Sequence, residues 1–149
     1  MATEKTFAMF KPGVLQRRVV GELISRIERK GFNIVALKLM RITPELAKNH
    51  YAEHREKGFF QSLIDYVTSG PVVAMILERP DAIAVLRSVI GATNPDKAAP
   101  GTIRGDYGVS TEHNLIHASD SAESAAREIG LFFSDNEVNA FEDGNARWF

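Results

Sequence analysis

The chain has 149 residues, no cysteine, and 18 basic against 19 acidic side chains for a formal net charge of −1. That length suits one domain over residues 1–149, large enough to bury about 70% of its unfolded surface without staples. Disulfides, thiolate metal sites and cysteine nucleophiles are excluded outright, and the even charge balance argues against non-specific attraction to nucleic acid, with no specific nucleic-acid partner expected, so any polyanion must be held by a local cluster of cations.

In chain order, Thr6 to Lys11 is a short β-prone run ended by Pro12-Gly13, which places Lys11 at a strand terminus. Val20, Leu23, Ile24 and Ile27 recur at helical spacing, and Gly31 closes the helix they define. Asn33 to Ile42 reads as a longer strand. Thr43-Pro44-Glu45 supplies an N-cap, a first-turn proline and an acidic residue, which predicts a helix that carries Tyr51 and ends before Gly58. Phe59, Leu63, Tyr66 and Val67 mark another helix, up to the break at Gly70-Pro71.

Val72 to Leu77 is a continuous apolar run, the pattern of a strand covered on both faces. Asp81 is positioned to cap a helix running to Ile90, with Arg87 beside its apolar stripe. Gly91 to Gly105, with two prolines and three glycines, reads as a long loop, and long ordered loops are usually functional. A short strand at Asn114 to His117 follows, then a helix from about Ser121 to Phe133, and a tail whose Trp148 and Phe149 are expected to pack onto a surface. The order of elements contains a split β-α-β pair. It points to an α/β (α+β) domain built on a ferredoxin-like antiparallel sheet with flanking helices. With no signal-like segment and no apolar run of bilayer length, the expected location is cytoplasmic.

The stretch Asn114 to Ser121, NLIHASDS, puts His117 at a strand-to-helix corner, followed by Ser119, Asp120 and Ser121. The N–H groups and positive dipole end of the next helix lie close to such a corner, which favours anions. An imidazole is largely unprotonated at neutral pH and can act as a nucleophile without a dedicated base. From these eight residues alone His117 reads more simply as a strand-end histidine bonded to its own loop; the sharper reading is a phosphoryl acceptor. Neither G-x-x-x-x-G-K-[ST] nor a strand-linked G-x-G-x-x-G is present, so phosphate would be held by side chains, with Lys11, Arg87, Thr93 and Arg104 as donors. A competing motif is His50 to His54, HYAEH, which fits H-x-x-E-H and on one helix would set two imidazoles at zinc-binding spacing.

The chain resembles nucleoside diphosphate kinases over nearly its whole length, in TFAMFKP, VGELISRIERKGF, HYAEH, SGPVVAMILE, NPDKAAPGTIRGDYG and NLIHASDS. The resemblance implies transfer of the γ-phosphate of a nucleoside triphosphate to a nucleoside diphosphate, ping-pong, through a phosphohistidine. His117 matches the nucleophile and Glu128 the acid that orients its ring, with Ser119 and Asp120 as the neighbouring pair. Lys11, Tyr51, Arg87, Thr93 and Arg104 match phosphate-binding residues, Lys11 and Asn114 the contacts to the sugar hydroxyls, and Phe59 the ring that stacks on the base. It also implies Mg²⁺ carried by the nucleotide phosphates rather than by protein ligands, and a homo-oligomer, hexamer or tetramer. Three positions depart from the pattern: Gly13-Val14-Leu15 stand where Asp-Gly-Val is usual, Gly58 where proline is common, and Ala118 where glycine is frequent. A catalytically silent nucleotide-binding module on the same fold is the alternative, and its mark would be loss of the nucleophile or the cations.

Overall fold

The computed structural model describes residues 2–149. Four strands, β1 (Glu4–Phe10), β2 (Asn33–Met40), β3 (Val72–Arg79) and β4 (Ile116–Ala118), form one sheet in the order β2-β3-β1-β4, and each adjacent pair runs antiparallel. Six helices surround it: α1 (Val20–Arg29), α2 (Pro44–His50), α3 (Phe60–Val67), α4 (Ala82–Ile90), α5 (Ile103–Tyr107) and α6 (Ala122–Phe132). The ferredoxin-like arrangement follows from two crossovers. β1-α1-β2 and β3-α4-β4 each skip one strand position, so β3 and β1 fill the centre of the sheet.

Period-two alternation along the central strands divides the core into two layers. Val73, Met75 and Leu77 join Phe10, Leu23, Ile27 and Leu86 under α1 and α4. Val72, Ala74 and Ile76 join Phe7, Met9, Ile64 and Phe132 under α2, α3 and α6. Burial on both faces explains why β3 reads as an uninterrupted apolar run. No helix among the described residues is long and apolar enough to cross a membrane.

Four expectations need correction. The helix opened by Thr43, whose side chain accepts from Leu46 N–H at 3.1 Å, stops at His50 instead of continuing towards Gly58. A separate 3₁₀ turn covers Ala52–His54, because the chain bends there to bury both His50 and Tyr51. Asp81 precedes α4 but makes no capping hydrogen bond; its φ is 54°, and Glu4 from β1 accepts from Ile83 N–H at 2.9 Å in its place. The stretch Gly91–Gly105 is not all loop: it holds a 3₁₀ turn at Pro95–Lys97 and the start of α5, which Thr102 caps by accepting from Gly105 N–H. Trp148 and Phe149 remain 71% and 78% exposed, although the Phe149 ring lies over Gly31.

Candidate active site

The corner that carries His117 is built on a backbone kink. Leu115 is fully buried yet has φ 73°, a region costly to a side-chain-bearing residue, and Ile116 N–H donates to Asn114 O at 2.9 Å across it. Arg104 braces the kink from α5. Its Nε donates to Asn114 O at 3.2 Å, one terminal nitrogen to Ile116 O at 2.6 Å, and the other to Gly91 O at 3.2 Å. Beyond the kink, His117 pairs with Met9 in the β1–β4 register and shares the sheet face of α2 and α6.

On that face His117 Nε2 lies 2.9 Å from Glu128 Oε2 of α6. The other Glu128 oxygen accepts from the Ser119 hydroxyl at 2.5 Å. Burial pushes the Glu128 carboxyl up, but the hydrogen bonds from His117 and Ser119 outweigh it and hold the group below its ordinary value. An ionised carboxylate only accepts, so Nε2 carries the ring proton and Nδ1 keeps the lone pair. Nδ1 makes no hydrogen bond among the described residues.

A cleft of about 210 Å³ opens in front of this pair. Lys11, Arg87, Thr93, Arg104, Asn114, His117 and Glu128, all expected from the sequence, line it together with Asp120. Lys11 Nζ donates to Asn114 Oδ1 at 2.8 Å, and the Asn114 amide donates to Thr93 O at 3.0 Å. Burial, with Arg104 nearby, lowers the Lys11 ammonium to about 8, and burial beside Arg87 lowers Arg104 to about 10. Like charges thus crowd a site from which water is partly excluded, an arrangement that an anionic ligand would relieve. Gly13 adopts φ 101° in the turn after Lys11-Pro12, a conformation natural only to glycine, so the departure from the family pattern leaves the placement of Lys11 intact.

The other expected residues lie outside the lining. Ser119 is buried and turned towards Glu128. Tyr51 is buried against His50, with ring centroids 4.6 Å apart, and burial raises its phenol. Phe59 is 49% exposed and stands 5.6 Å from His54, whose ring does line the cleft. His50 and His54 do not form the zinc pair suggested by their spacing, because α2 ends between them. His50 instead lies against His117 at 4.6 Å between centroids, a neighbour that no sequence spacing reveals. Burial, with His117 alongside, pushes His50 down to about 3, and neither of its ring nitrogens has a hydrogen-bond partner. Larger hollows of about 320 and 420 Å³ occur elsewhere, but neither gathers more than two basic side chains, so chemistry rather than size marks the site.

Comparison with known proteins agrees with this arrangement. A family model described as nucleoside diphosphate kinase matches residues 4–138. The chain is 59% identical to the nucleoside diphosphate kinase of Archaeoglobus fulgidus, over 97% of this chain and 96% of that one. It is 57% identical to that of Moorella thermoacetica, over 93% and 99%. Among solved structures, the halophilic nucleoside diphosphate kinase from Halobacterium salinarum in complex with CDP superimposes with a TM-score of 0.95 at 48% identity, covering 99% of this chain and 98% of that one. The chain belongs to the nucleoside diphosphate kinase family and is a phosphotransferase of that kind.

Proposed function

We propose that His117 is the group that carries the phosphoryl in this enzyme, which moves the γ-phosphate of a nucleoside triphosphate to a nucleoside diphosphate in two half-reactions at one site. The observation that carries the assignment is the His117–Glu128 bond at 2.9 Å, which ties the proton to Nε2 and leaves the Nδ1 lone pair unengaged. In the first half-reaction Nδ1 forms a bond to the γ-phosphorus, the bond from that phosphorus to the β-phosphate oxygen breaks, and the diphosphate leaves with the electron pair. Nε2 keeps its proton, and the Glu128 carboxylate faces the positive charge that the ring acquires. The second half-reaction is the reverse with a different diphosphate. Phosphoryl transfer asks chiefly for positioning and charge stabilisation, which Lys11, Arg87 and Arg104 supply around the phosphates.

Asn114, bonded to Lys11, is suited to a ribose hydroxyl, and Phe59, half-exposed beside His54, to one face of a base. Stacking gives affinity without reading a base edge, which suits an enzyme that accepts many nucleotides. Nucleoside diphosphate kinases need a divalent metal, and Mg²⁺ is the ion proposed here; held with the nucleotide in the cleft lined by Lys11, Arg87 and Arg104, it would supply further positive charge against the phosphates. The residues fit an ion that arrives with the nucleotide. Among the described residues the metal-type group is His50, His117 and Glu128, whose imidazoles do not suit a hard, oxygen-seeking cation. A homo-oligomer, hexamer or tetramer, is part of the same reading. Its support is edge strand β2, which among the described residues pairs only with β3 and leaves Leu37 and Leu39 50% and 61% exposed. The cytoplasm, where nucleoside triphosphates are made and spent, is the location that suits the activity.

The test is to incubate the protein with γ-labelled ATP and Mg²⁺, remove the nucleotide, and measure retained label. One acid-labile phosphoryl per chain is expected, and none in His117→Ala. Ping-pong turnover surviving in that variant would overturn the assignment.

A further inference from the structure

His50 is a buried group that phosphoryl transfer leaves without a task. Its ring is 2% exposed, and both nitrogens lack a hydrogen-bond partner among the described residues. A buried polar atom in that condition calls for an explanation, and an ion is one of the physical possibilities. His50 Nδ1 lies 3.7 Å from Glu128 Oε2, the same oxygen that faces His117 Nε2 at 2.9 Å. One ligand atom from each of the three residues falls within 4.8 Å of the other two. Donors held 2.0–2.1 Å from a tetrahedral zinc ion stand roughly 3.4 Å apart. The two measured separations straddle that value and the third, between the imidazole nitrogens, is within 4.8 Å, so the imidazoles turn inward to complete the triangle on binding.

We propose that His50, His117 and Glu128 form a binding site for a divalent transition-metal ion of the zinc class, behind the attacking nitrogen of His117, and that its occupancy blocks phosphoryl transfer. Two imidazoles and a carboxylate suit zinc, cobalt or copper and disfavour Mg²⁺, so the site is distinct from the ion that travels with the nucleotide. The block is tautomeric. In the ion-free ring the proton sits on Nε2 and the lone pair on Nδ1. When the metal takes the Nε2 electron pair, that proton passes through solvent to Nδ1, the ring stays neutral, and no net proton is released. Nδ1 then has no pair with which to attack phosphorus. Lys11, Arg87 and Arg104 in the cleft, and Arg127 Nη2 at 4.0 Å from Glu128 Oε2, oppose a further cation. The ion is therefore a reversible inhibitor and not a permanent structural metal.

The site itself stands apart from the phosphotransferase reading; only the block rests on it. Equilibrium dialysis of the nucleotide-free protein against Zn²⁺ alone, at fixed assembly state, is the first measurement. One ion per chain is expected, weakened by about tenfold or more in His50→Gln and in His117→Ala. His54→Gln and His113→Gln should bind as the parent does. Co²⁺ provides a reporter in the unmutated protein, its visible absorption being strong in a low-coordinate nitrogen and oxygen site. ¹⁵N spectra should show the His117 proton moving from Nε2 to Nδ1 on addition of Zn²⁺. In the labelled-ATP experiment Zn²⁺ should prevent phosphorylation, and a chelator should restore it. Zinc binding unchanged in both His50→Gln and His117→Ala would overturn the site, and a zinc-saturated protein that still takes up label would overturn the block. Failure of the zinc-free protein to take up label would count against the phosphotransferase assignment, while the dialysis still decides the metal site.

Discussion

Ser119 and Glu128 are joined by a hydrogen bond of 2.5 Å between buried side chains nine residues apart, and this bond selects which carboxylate oxygen is left for His117. Ser119→Ala should let the Glu128 carboxylate rotate. A hydrogen bond to a charged group is worth about 1.5–3 kcal/mol, so stability should fall by that order and phosphoenzyme formation should slow. Denaturant melts at fixed assembly state, paired with single-turnover labelling, check both. Unchanged labelling would mean that His117 alone orients the carboxylate.

Lys11 gives a pH dependence of definite sign. With its ammonium lowered to about 8 by burial and Arg104, the free enzyme loses that charge as pH rises through 8, so affinity for nucleoside diphosphates should weaken there. Stability should move the other way. The unfolded chain holds the lysine proton up to about 10.5, the folded chain releases it near 8, and stability therefore rises with pH between those values. Calorimetric titrations and melts across that window test both trends, and Lys11→Met should flatten each.

Arg104 and Leu115 form a second dependency. Arg104→Lys keeps the charge but cannot reach three carbonyls, and each buried acceptor left unpaired costs about 1–3 kcal/mol, so the kink before β4 should loosen and catalysis should fall with stability. Leu115→Gly would relieve a positive φ worth about 1–2 kcal/mol, yet loses a buried side chain worth about 2–5 kcal/mol. Burial wins, and net destabilisation is expected in a urea melt.

Gly58 offers a gain. A Cβ built there meets nothing within 4 Å, and its N–H makes no hydrogen bond among the described residues. Gly58→Pro should stabilise the protein by about 0.4–1 kcal/mol by restricting the unfolded chain. Thermal or denaturant melts decide it, and a less stable variant would show that proline strains the preceding Lys57.

Phe59→Ala should weaken all nucleoside diphosphates alike, by about 1–3 kcal/mol, the range of base–aromatic stacking. Binding isotherms for a purine and a pyrimidine diphosphate measure it, and a loss confined to one class would mean that the ring reads shape.

Much of this molecule was legible in its residues. The end of β1 just before Lys11, the Thr43 cap and the doubly covered β3 depend on local periodicity and turn chemistry, which act over a few residues and leave their mark in order, whereas the last strand spans Ile116–Ala118 instead of Asn114–His117, with His117 at its middle. The family likeness added the roles expected of Glu128, Asn114 and Phe59. What only the tertiary structure decided involves groups far apart in the chain. Glu4 replaces Asp81 as the cap of α4 because β1 begins beside it. His50 joins His117 and Glu128 and parts from His54 because α2 stops at His50 and turns this last side chain into the core. Arg104, which reads as a phosphate donor, also spends three of its nitrogens on the backbone around Leu115. Such partnerships are set by packing and by the need to pair every buried polar group, and neither is written in the spacing of residues along the chain.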